Sequence, residues 1–366
     1  MQTIGRLLPL ECMNALPTHL SDLQQALANL DVLAPPAQKL EQLILTHADQ
    51  LALPAAGATL ARWQALAAVA EHDLSLAKLF EGHTDALAIL KELRVDLSSV
   101  LQAQPAGRSQ SWAVWAAEMS GCRVMIESGD SEPGTPVKLS GIKAWCSGAH
   151  SGTHALLTAW SAATAGPQLV AVELAQPQIK VSDKHWHAVG MRASESLRVS
   201  FDQAIGWSVG GPGTYLTRPG FWHGGAGVAA CWYGGALTIA RALRSALART
   251  DAATRDRFRL AAAGRVDVAL QGTSQLFRQT AAWIDSHPQD DARPAALRLR
   301  LATAACAQQV LALTGDAMGA APFCLDRSFA QAAADLPVFI RQSHGDHDYA
   351  ELGEYVSLQG SDIWEM

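Results

Sequence analysis

Gly141-Ile-Lys-Ala-Trp-Cys-Ser-Gly-Ala149 is an apolar strand candidate that runs into a turn of small residues. Trp145 and Ser147 are two apart, a spacing that points both side chains to one face of a strand. An indole beside a hydroxyl suits a flat heteroaromatic ring. The indole covers a ring face, and the hydroxyl or a neighbouring amide bonds a ring nitrogen or carbonyl. The plainer reading is a core tryptophan followed by a turn serine, and the surroundings of the segment decide between the two.

On both sides of this segment short apolar runs alternate with turns. Trp112–Ala117, Cys122–Glu127, Val137–Cys146, His154–Trp160, Gln168–Leu174 and Leu197–Phe201 are strand candidates, and Ser128-Gly129-Asp130 and Glu132-Pro133-Gly134 are turn signals. Short strands between helical regions predict a compact β-barrel or sandwich. Upstream, residues 18–104 carry helical stripes: Leu20, Leu23, Leu27 and Leu30; Leu40, Leu43, Ile44, His47 and Leu51; Leu60, Trp63, Leu66 and Ala70; Leu76, Leu79, Phe80, His83 and Leu87. Pro105 and Gly107 punctuate the change of texture. Downstream of Gly210–Gly213 and Pro219–Gly225, Val228, Cys231, Trp232, Gly235 and Ile239 share a helix face. Further helices are expected over 255–286, 292–314 and 326–340, with Gly315 ending the second. The expected fold class is therefore α+β. An N-terminal α-helical domain (1–108) precedes a small β-barrel or sandwich domain (109–206) and a C-terminal four-helix-bundle domain (207–366).

Composition narrows the function. Of 366 residues 49% are hydrophobic and 17% charged, below the ~25% charged share typical of soluble domains, so much surface is expected to be buried between domains or subunits. A net charge of −6 without a basic block argues against nucleic acid. No apolar run approaches the ~20 residues of a membrane helix, and Met1–Leu10 lacks the small-residue cleavage site of a secretory signal. Cys12, Cys122, Cys146, Cys231, Cys306 and Cys324 form no C-x-x-C pair, so neither a zinc framework nor a disulfide scaffold is expected. Reduced thiols in a cytoplasmic protein are the simpler reading.

Three more segments carry chemistry. His187-Ala-Val-Gly-Met-Arg-Ala-Ser194 reads as a turn into a strand. Gly220-Phe-Trp-His-Gly-Gly-Ala-Gly-Val-Ala-Ala230 opens a long helix. It lacks the spacing of a phosphate-binding P-loop, and close helix packing explains its glycines better. Phe339-Ile-Arg-Gln-Ser-His-Gly-Asp-His-Asp-Tyr-Ala-Glu-Leu-Gly353 is dense in protic groups. His344 and His347 have a spacing that binds metal on a helix, but Gly345 lies between them and no third ligand is evident, so no metal is expected. Asp346 or Asp348 capping a final helix is the ordinary alternative.

In this order and at these distances the segments resemble the acyl-CoA dehydrogenase superfamily. Leu139-Ser-Gly-Ile-Lys-Ala-Trp-Cys-Ser147 resembles the strand that flanks the flavin there, Gly190-Met-Arg-Ala-Ser194 resembles its G-x-R-x-S turn, and Phe80-Glu-Gly-His-Thr-Asp-Ala86 resembles a segment of the N-terminal domain in one bacterial branch. Thr314-Gly-Asp-Ala-Met-Gly319 resembles the Gly-rich turn that contacts the flavin's nucleotide part. The resemblance implies FAD, a homodimer or homotetramer, an acyl-CoA or related small molecule as substrate, and an electron-transfer partner. Trp145 would pack on the isoalloxazine, Ser147 would bond near its reactive edge, and Thr314, Gly315 and Gly319 would serve the nucleotide part.

The departures from the pattern are specific. Trp115-Ala-Ala-Glu118 stands where the family has T-E-P-x-x-G-S-D, without the Pro and the G-S-D. The R-x-x-F-G segment that reaches the flavin pyrophosphate has its nearest counterpart in Arg255-Asp-Arg-Phe258, without the Gly. Ile340 and Arg341 stand where the family usually places its catalytic Glu-Gly, and the alternative Glu position falls near Gly227. The first reading is a dehydrogenase-like flavoprotein acting on the CH–CH group of an acyl-CoA thioester. One alternative is a flavin-dependent monooxygenase or oxidase on the same scaffold, a branch whose C-terminal Arg and His resemble Arg341 and His344 as catalytic residues. The other is a non-catalytic homologue that acts as a binding or partner subunit.

Overall fold

The computed structural model describes residues 20–95, 109–129, 132–162 and 166–365. The expectations for Cys12, Met1–Leu10, the break at Pro105 and Gly107, and Asp130 of the first turn lie outside the described residues. The chain forms two compact units. One takes the described residues of Met1–Ala52, Lys78–Ala188 and Arg192–Phe221; the other takes Leu53–Ala77, Val189–Met191 and Trp222–Met366.

The first unit is built around a barrel. Its strands are β1 (Trp112–Trp115), β2 (Val124–Gly129), β3 (Pro136–Cys146), β4 (His154–Trp160), β5 (Pro167–Glu173), β6 (Ile179–Ser182) and β7 (Leu197–Val209). Five of them close a ring in the order β4-β2-β3-β7-β5, and the β4–β5 pairing completes it. β1 adds to β4 in parallel, β2 meets β4 in parallel through Met125 and Trp160, and the remaining pairs are antiparallel. Alternate residues fill the interior, among them Trp115, Val124, Leu139, Leu157, Val170 and Phe201. Helices α1 (Leu20–Ala28) and α2 (Pro36–Leu45) belong to the same unit, and α2 starts on Pro36, where a missing amide proton costs nothing. The other faces of β4 and β5, through Leu156, Leu169 and Ala171, pack with Ala86 and Ile89 of a helix over Leu74–Glu92, α4. Burial on both faces explains why these two strands read as largely apolar runs without a polar alternation. The short α5 (Thr214–Thr217) closes the unit after β7.

The second unit is helical. It holds α3 (Thr59–His72), α6 (Gly220–Ala248), α7 (Arg257–Ser286), α8 (Arg293–Met318), α9 (Ala321–Leu325), α10 (Arg327–Phe339) and α11 (Asp346–Ser357). Asp285 near the end of α7 accepts from the Thr59 amide (3.1 Å) and the Thr59 hydroxyl (2.6 Å), capping α3 across the packing contact. The Trp63 ring of α3 meets Phe277 of α7 edge-on at 5.7 Å.

The expected fold class is corrected at two points. The β-layer is a closed five-strand barrel with parallel pairs, which removes the sandwich option. The C-terminal region is not a four-helix bundle. After the three long helices α6, α7 and α8 the described chain breaks into short pieces at Gly319, Asp326 and Ile340, and α10 carries Pro337 inside it. The same compact unit also takes in α3 from far upstream. Gly315 does not end its helix either; α8 continues to Met318 and stops at Gly319, whose φ of +68° favours a residue without a side chain.

Candidate functional site

The end of β3 departs from a regular strand. Lys143 pairs with Val199 and Cys146 with Leu197, so β3 advances three residues while β7 advances two. The extra residue makes a β-bulge, and Trp145 takes a left-handed backbone conformation there (φ +59°). Such a φ is unusual for a bulky residue, and bulges re-aim side chains. Ala144 and Cys146 are buried, whereas Trp145 is turned outward and is 51% exposed. The expectation that Trp145 and Ser147 share a strand face is therefore corrected: the bulge leaves the indole outside, while Ser147 is buried beyond the last ladder pair.

Ser147 is held from several directions. Its carbonyl accepts from the Trp115 indole N–H (3.0 Å), and the next amide, Gly148 N–H, donates to the Ser194 carbonyl (2.8 Å). Its hydroxyl lies 2.9 Å from the Ser196 hydroxyl, which lies 2.9 Å from that of Ser194. A cavity of about 560 Å³ opens on this turn, with Gln38, Leu79, Gly82, Trp112, Ser147 and Thr153 in its wall.

Two polar clusters, each around a buried side chain, brace the same unit. Lys143 Nζ donates to Glu118 Oε1 (2.7 Å), the Thr158 hydroxyl (2.7 Å) and the Thr158 carbonyl (3.2 Å). Burial pushes the Lys143 ammonium below its ordinary value, against the pull of Glu118. Burial pushes the Glu118 carboxyl up, but hydrogen bonds from Lys143 and Thr158 and the Lys143 charge outweigh it and hold Glu118 below the usual range. His83 Nε2 meets Asp49 Oδ2 at 3.0 Å, and His83 Nδ1 accepts from the Trp112 amide (3.1 Å), so the imidazole is the Nε2–H tautomer. Beside it, His154 stacks on Trp112 at 4.8 Å, and burial drives its value down to about 4, which keeps it neutral.

In the second unit Arg341 lies in a single 3-10 turn, Ile340–Gln342, and is exposed. His344 follows it with a side chain 76% exposed. Buried Asp348 organises this segment by accepting from the Ser343 hydroxyl (3.1 Å) and the His344 amide (3.0 Å), and it meets His344 Nδ1 at 3.3 Å. Arg300 of α8 fastens the segment from beneath, donating to the Gln342 carbonyl (3.0 Å) and the Gly225 carbonyl (2.7 Å) over the Trp232 ring. Thr314 and Gly315 lie in the closing turns of α8, and the buried Thr314 hydroxyl has no hydrogen-bond partner among the described residues. The Gly190-Met191 turn threads against α10. Met191 N–H donates to buried Asp335, which also accepts from Gln331 (2.9 Å).

Burial pushes the Asp335 carboxyl above its ordinary range, partly offset by the Met191 and Gln331 hydrogen bonds. A raised folded-state value means that stability is fully present below the unfolded value and is lost as pH rises through the folded one. Asp335→Asn keeps an acceptor for the Met191 amide and removes the ionisation. The variant should gain stability relative to the parent between about pH 3, below the ordinary aspartate value, and about pH 7. Urea denaturation at both pH values checks this, and a constant difference between the two proteins would contradict it.

Sequence reading singles out Trp145, Ser147, Arg341 and His344 but misses Lys143, Ser196, Arg300, Asp335 and the pairing role of Glu118. A lysine at an inward strand position is the one available signal, since a buried ammonium requires a partner.

No family model and no curated protein matches the sequence. Solved structures do match. TdsC from a Paenibacillus species, in complex with FMN and indole, is 15% identical, with 92% of this chain and 95% of that one covered and a TM-score of 0.74. KijD3, in complex with FMN and a dTDP-linked amino sugar, is 20% identical over 93% and 91% of the two chains, with a TM-score of 0.74. The methanesulfinate monooxygenase MsuC from Pseudomonas fluorescens is 18% identical over 93% and 97%, with a TM-score of 0.69. At these identities the likeness establishes architecture: the chain has the acyl-CoA dehydrogenase-like fold that these proteins share.

Proposed function

We propose that the protein is a flavin-dependent monooxygenase that uses FMN and acts on a small molecule. The carrying observation is the Ile340–His344 segment. Where a dehydrogenase needs a carboxylate to take an α-proton, this chain has Ile340, which is buried, and Arg341, with His344 following against Asp348. The residues of the first unit supply the groups a flavin ring asks for: the bulge presents an exposed indole at Trp145, and, two residues on, the buried Ser147 hydroxyl meets that of Ser196. FMN is favoured over the FAD expected from sequence. Arg255, the nearest counterpart of the pyrophosphate-reaching arginine, folds its Nε back onto the Leu247 (3.0 Å) and Thr250 (3.2 Å) carbonyls at the end of α6. FMN in the TdsC and KijD3 structures supports the same choice.

When bound and reduced, the flavin supplies the chemistry of dioxygen activation. The protein binds, orients and moves protons. In the first unit, Trp145 covers a ring face and Ser147 bonds the ring edge. In the second, Arg341 offers a fixed positive charge, and His344, with Nδ1 turned to Asp348, takes up and releases its exchangeable proton at Nε2. The cavity of about 560 Å³ suits a small molecule with both apolar and polar groups. Reduced flavin would come from the electron-transfer partner, and the subunits would form a homodimer or homotetramer.

A spectrum of the purified protein with FMN and with FAD is the first test. Flavin bands that FMN restores more readily than FAD support the reading, together with oxygen consumption on supply of reduced FMN. A protein that binds neither flavin would sink it. Anaerobic bleaching of bound flavin by an acyl-CoA would return the dehydrogenase instead. Trp145→Ala should weaken FMN by on the order of tenfold, the scale of one lost stacking contact. Unchanged affinity, measured by quenching of FMN fluorescence, would refute the platform.

A further inference from the structure

We infer that Ser196 is a positioning residue for the flavin site. With Ser194 it forms a reversible hydroxyl chain that sets whether Ser147 donates to or accepts from the ring edge. The inference rests on the flavin reading above and concerns a residue that no sequence motif marks.

The three hydroxyls run Ser147, Ser196, Ser194, with 2.9 Å at each step, and either oxygen of each pair can be the donor. Backbone contacts fix the frame on both sides. Cys146 pairs with Leu197, Gly148 N–H donates to the Ser194 carbonyl, and the Ser147 carbonyl is taken by Trp115. Ser147 and Ser194 are buried, so the remaining freedom is the rotation of the hydroxyl protons. Each hydroxyl has one proton to give and two lone pairs to offer. When Ser196 donates to Ser147, the Ser147 proton is free to point outward. When Ser147 donates to Ser196, its lone pairs face outward instead. Concerted rotation converts one arrangement to the other without breaking the chain or charging any member.

A flavin edge asks for this reversal. Its N5 accepts a hydrogen bond in the oxidised ring and donates one in the reduced ring. A lone serine adapts to both by rotating, but then leaves its inner side unpaired. A chain of three keeps every inner hydroxyl bonded in both states, so both redox forms of the ring are bound well. Removing the Ser196 hydroxyl leaves Ser147 buried with no hydroxyl partner behind it. Ser147 then favours the outward arrangement that best fits its remaining neighbours and binds one redox form at the expense of the other.

Ser196→Ala should therefore change the ratio of affinities for oxidised and reduced FMN by about tenfold. For a two-electron couple that is ~30 mV in the midpoint potential of the bound flavin. Ser196→Thr, which keeps the hydroxyl, should restore the parent potential, and Ser194→Ala should shift it in the same direction by less. In a Ser147→Ala background Ser196→Ala should have no further effect. Potentials from anaerobic reductive titration, with affinities from fluorescence quenching and melting temperatures for folding, provide the readouts. An unchanged potential in a folded, FMN-binding Ser196→Ala protein overturns the inference, as do additive shifts in the double variant. If Ser196→Ala does not fold, the decision passes to Ser194→Ala, where an unchanged potential is equally fatal. Absence of FMN binding by the parent protein removes the flavin reading itself, which distinguishes that failure from a failure of the chain.

Discussion

Gly190→Ala should destabilise the protein by about 3 kcal/mol or more, the upper range for overpacking against atoms that cannot move aside. An added Cβ would lie 1.9 Å from the Ala334 carbonyl oxygen and 2.6 Å from its carbon, and both belong to the backbone of α10. A side chain could rotate away, but a helix carbonyl cannot. The adjacent residues leave no slack either, because Met191 already sits at φ +57° with its amide bound to Asp335. Relief would require shifting the turn or the helix, and either movement pulls the Met191–Asp335 bond apart. Thermal melting and urea titration measure the loss. A variant as stable as the parent would mean that the turn is not seated on α10.

The second large effect is expected inside the barrel. Glu118→Ala leaves the Lys143 ammonium enclosed, with only the Thr158 hydroxyl and carbonyl for company. Breaking a buried ion pair costs ~3–5 kcal/mol. The lower end applies here because the Glu118 side chain is 37% exposed and water screens part of the pair. Replacing both partners, Lys143→Met with Glu118→Gln, should recover most of the loss, since the charge and its desolvation penalty leave together. The same pair predicts an acid limb. The folded Glu118 value is depressed, so the stability it contributes is present above the ordinary carboxylate range and is lost as pH falls through the lowered value. The double variant should lack that part of the acid response. A single variant that costs nothing would show that Lys143 sheds its proton and needs no counter-charge.

The helices are legible in the sequence because their stripes follow the period of burial: Leu23, Leu27, Leu43, Trp63 and Leu66 are all buried. The strands are legible because apolar runs such as His154–Trp160 are bounded by turn residues. β6 escapes because Ile179–Ser182 is four residues long and nowhere fully buried, so it carries no alternation to read. Barrel closure is invisible, being set by which strands pair across long separations and not by any local pattern. The helix expected over 326–340 is present as α10, capped by Asp326, but periodicity does not show that it is less than half the length of α7 and carries Pro337 inside it.

The candidate site is legible in its residues and not in its geometry. Trp145 and Ser147 follow the two-residue rule only in an unbroken strand, and one inserted residue at the Lys143–Cys146 step voids it. Nothing in Ala-Trp-Cys announces a left-handed tryptophan. The partners of Ser147 are hidden for another reason: Ser196 is 49 residues away in sequence and is an ordinary serine at the foot of a strand. Arg341 and His344 stand out as a protic cluster, but the buried Asp348 and Arg300 that hold the segment are recognisable only once burial is known.

The pairing of β3 with β7 also orders events in time. Among the described strands β3 has two neighbours, and the ladder that defines the bulge is the one with Val199 and Leu197. A growing chain that has reached residue 196 holds β1 to β6 but lacks the strand against which Trp145 is turned outward. During synthesis, at roughly 5–20 residues per second, the ring stays open and its apolar interior unsealed until Leu197–Val209 emerges. Long-range closure of this kind is slow compared with helix formation. The outward turn of Trp145 is thus among the last features of the first unit to exist, and under the proposed function a flavin must wait for the strand that completes it.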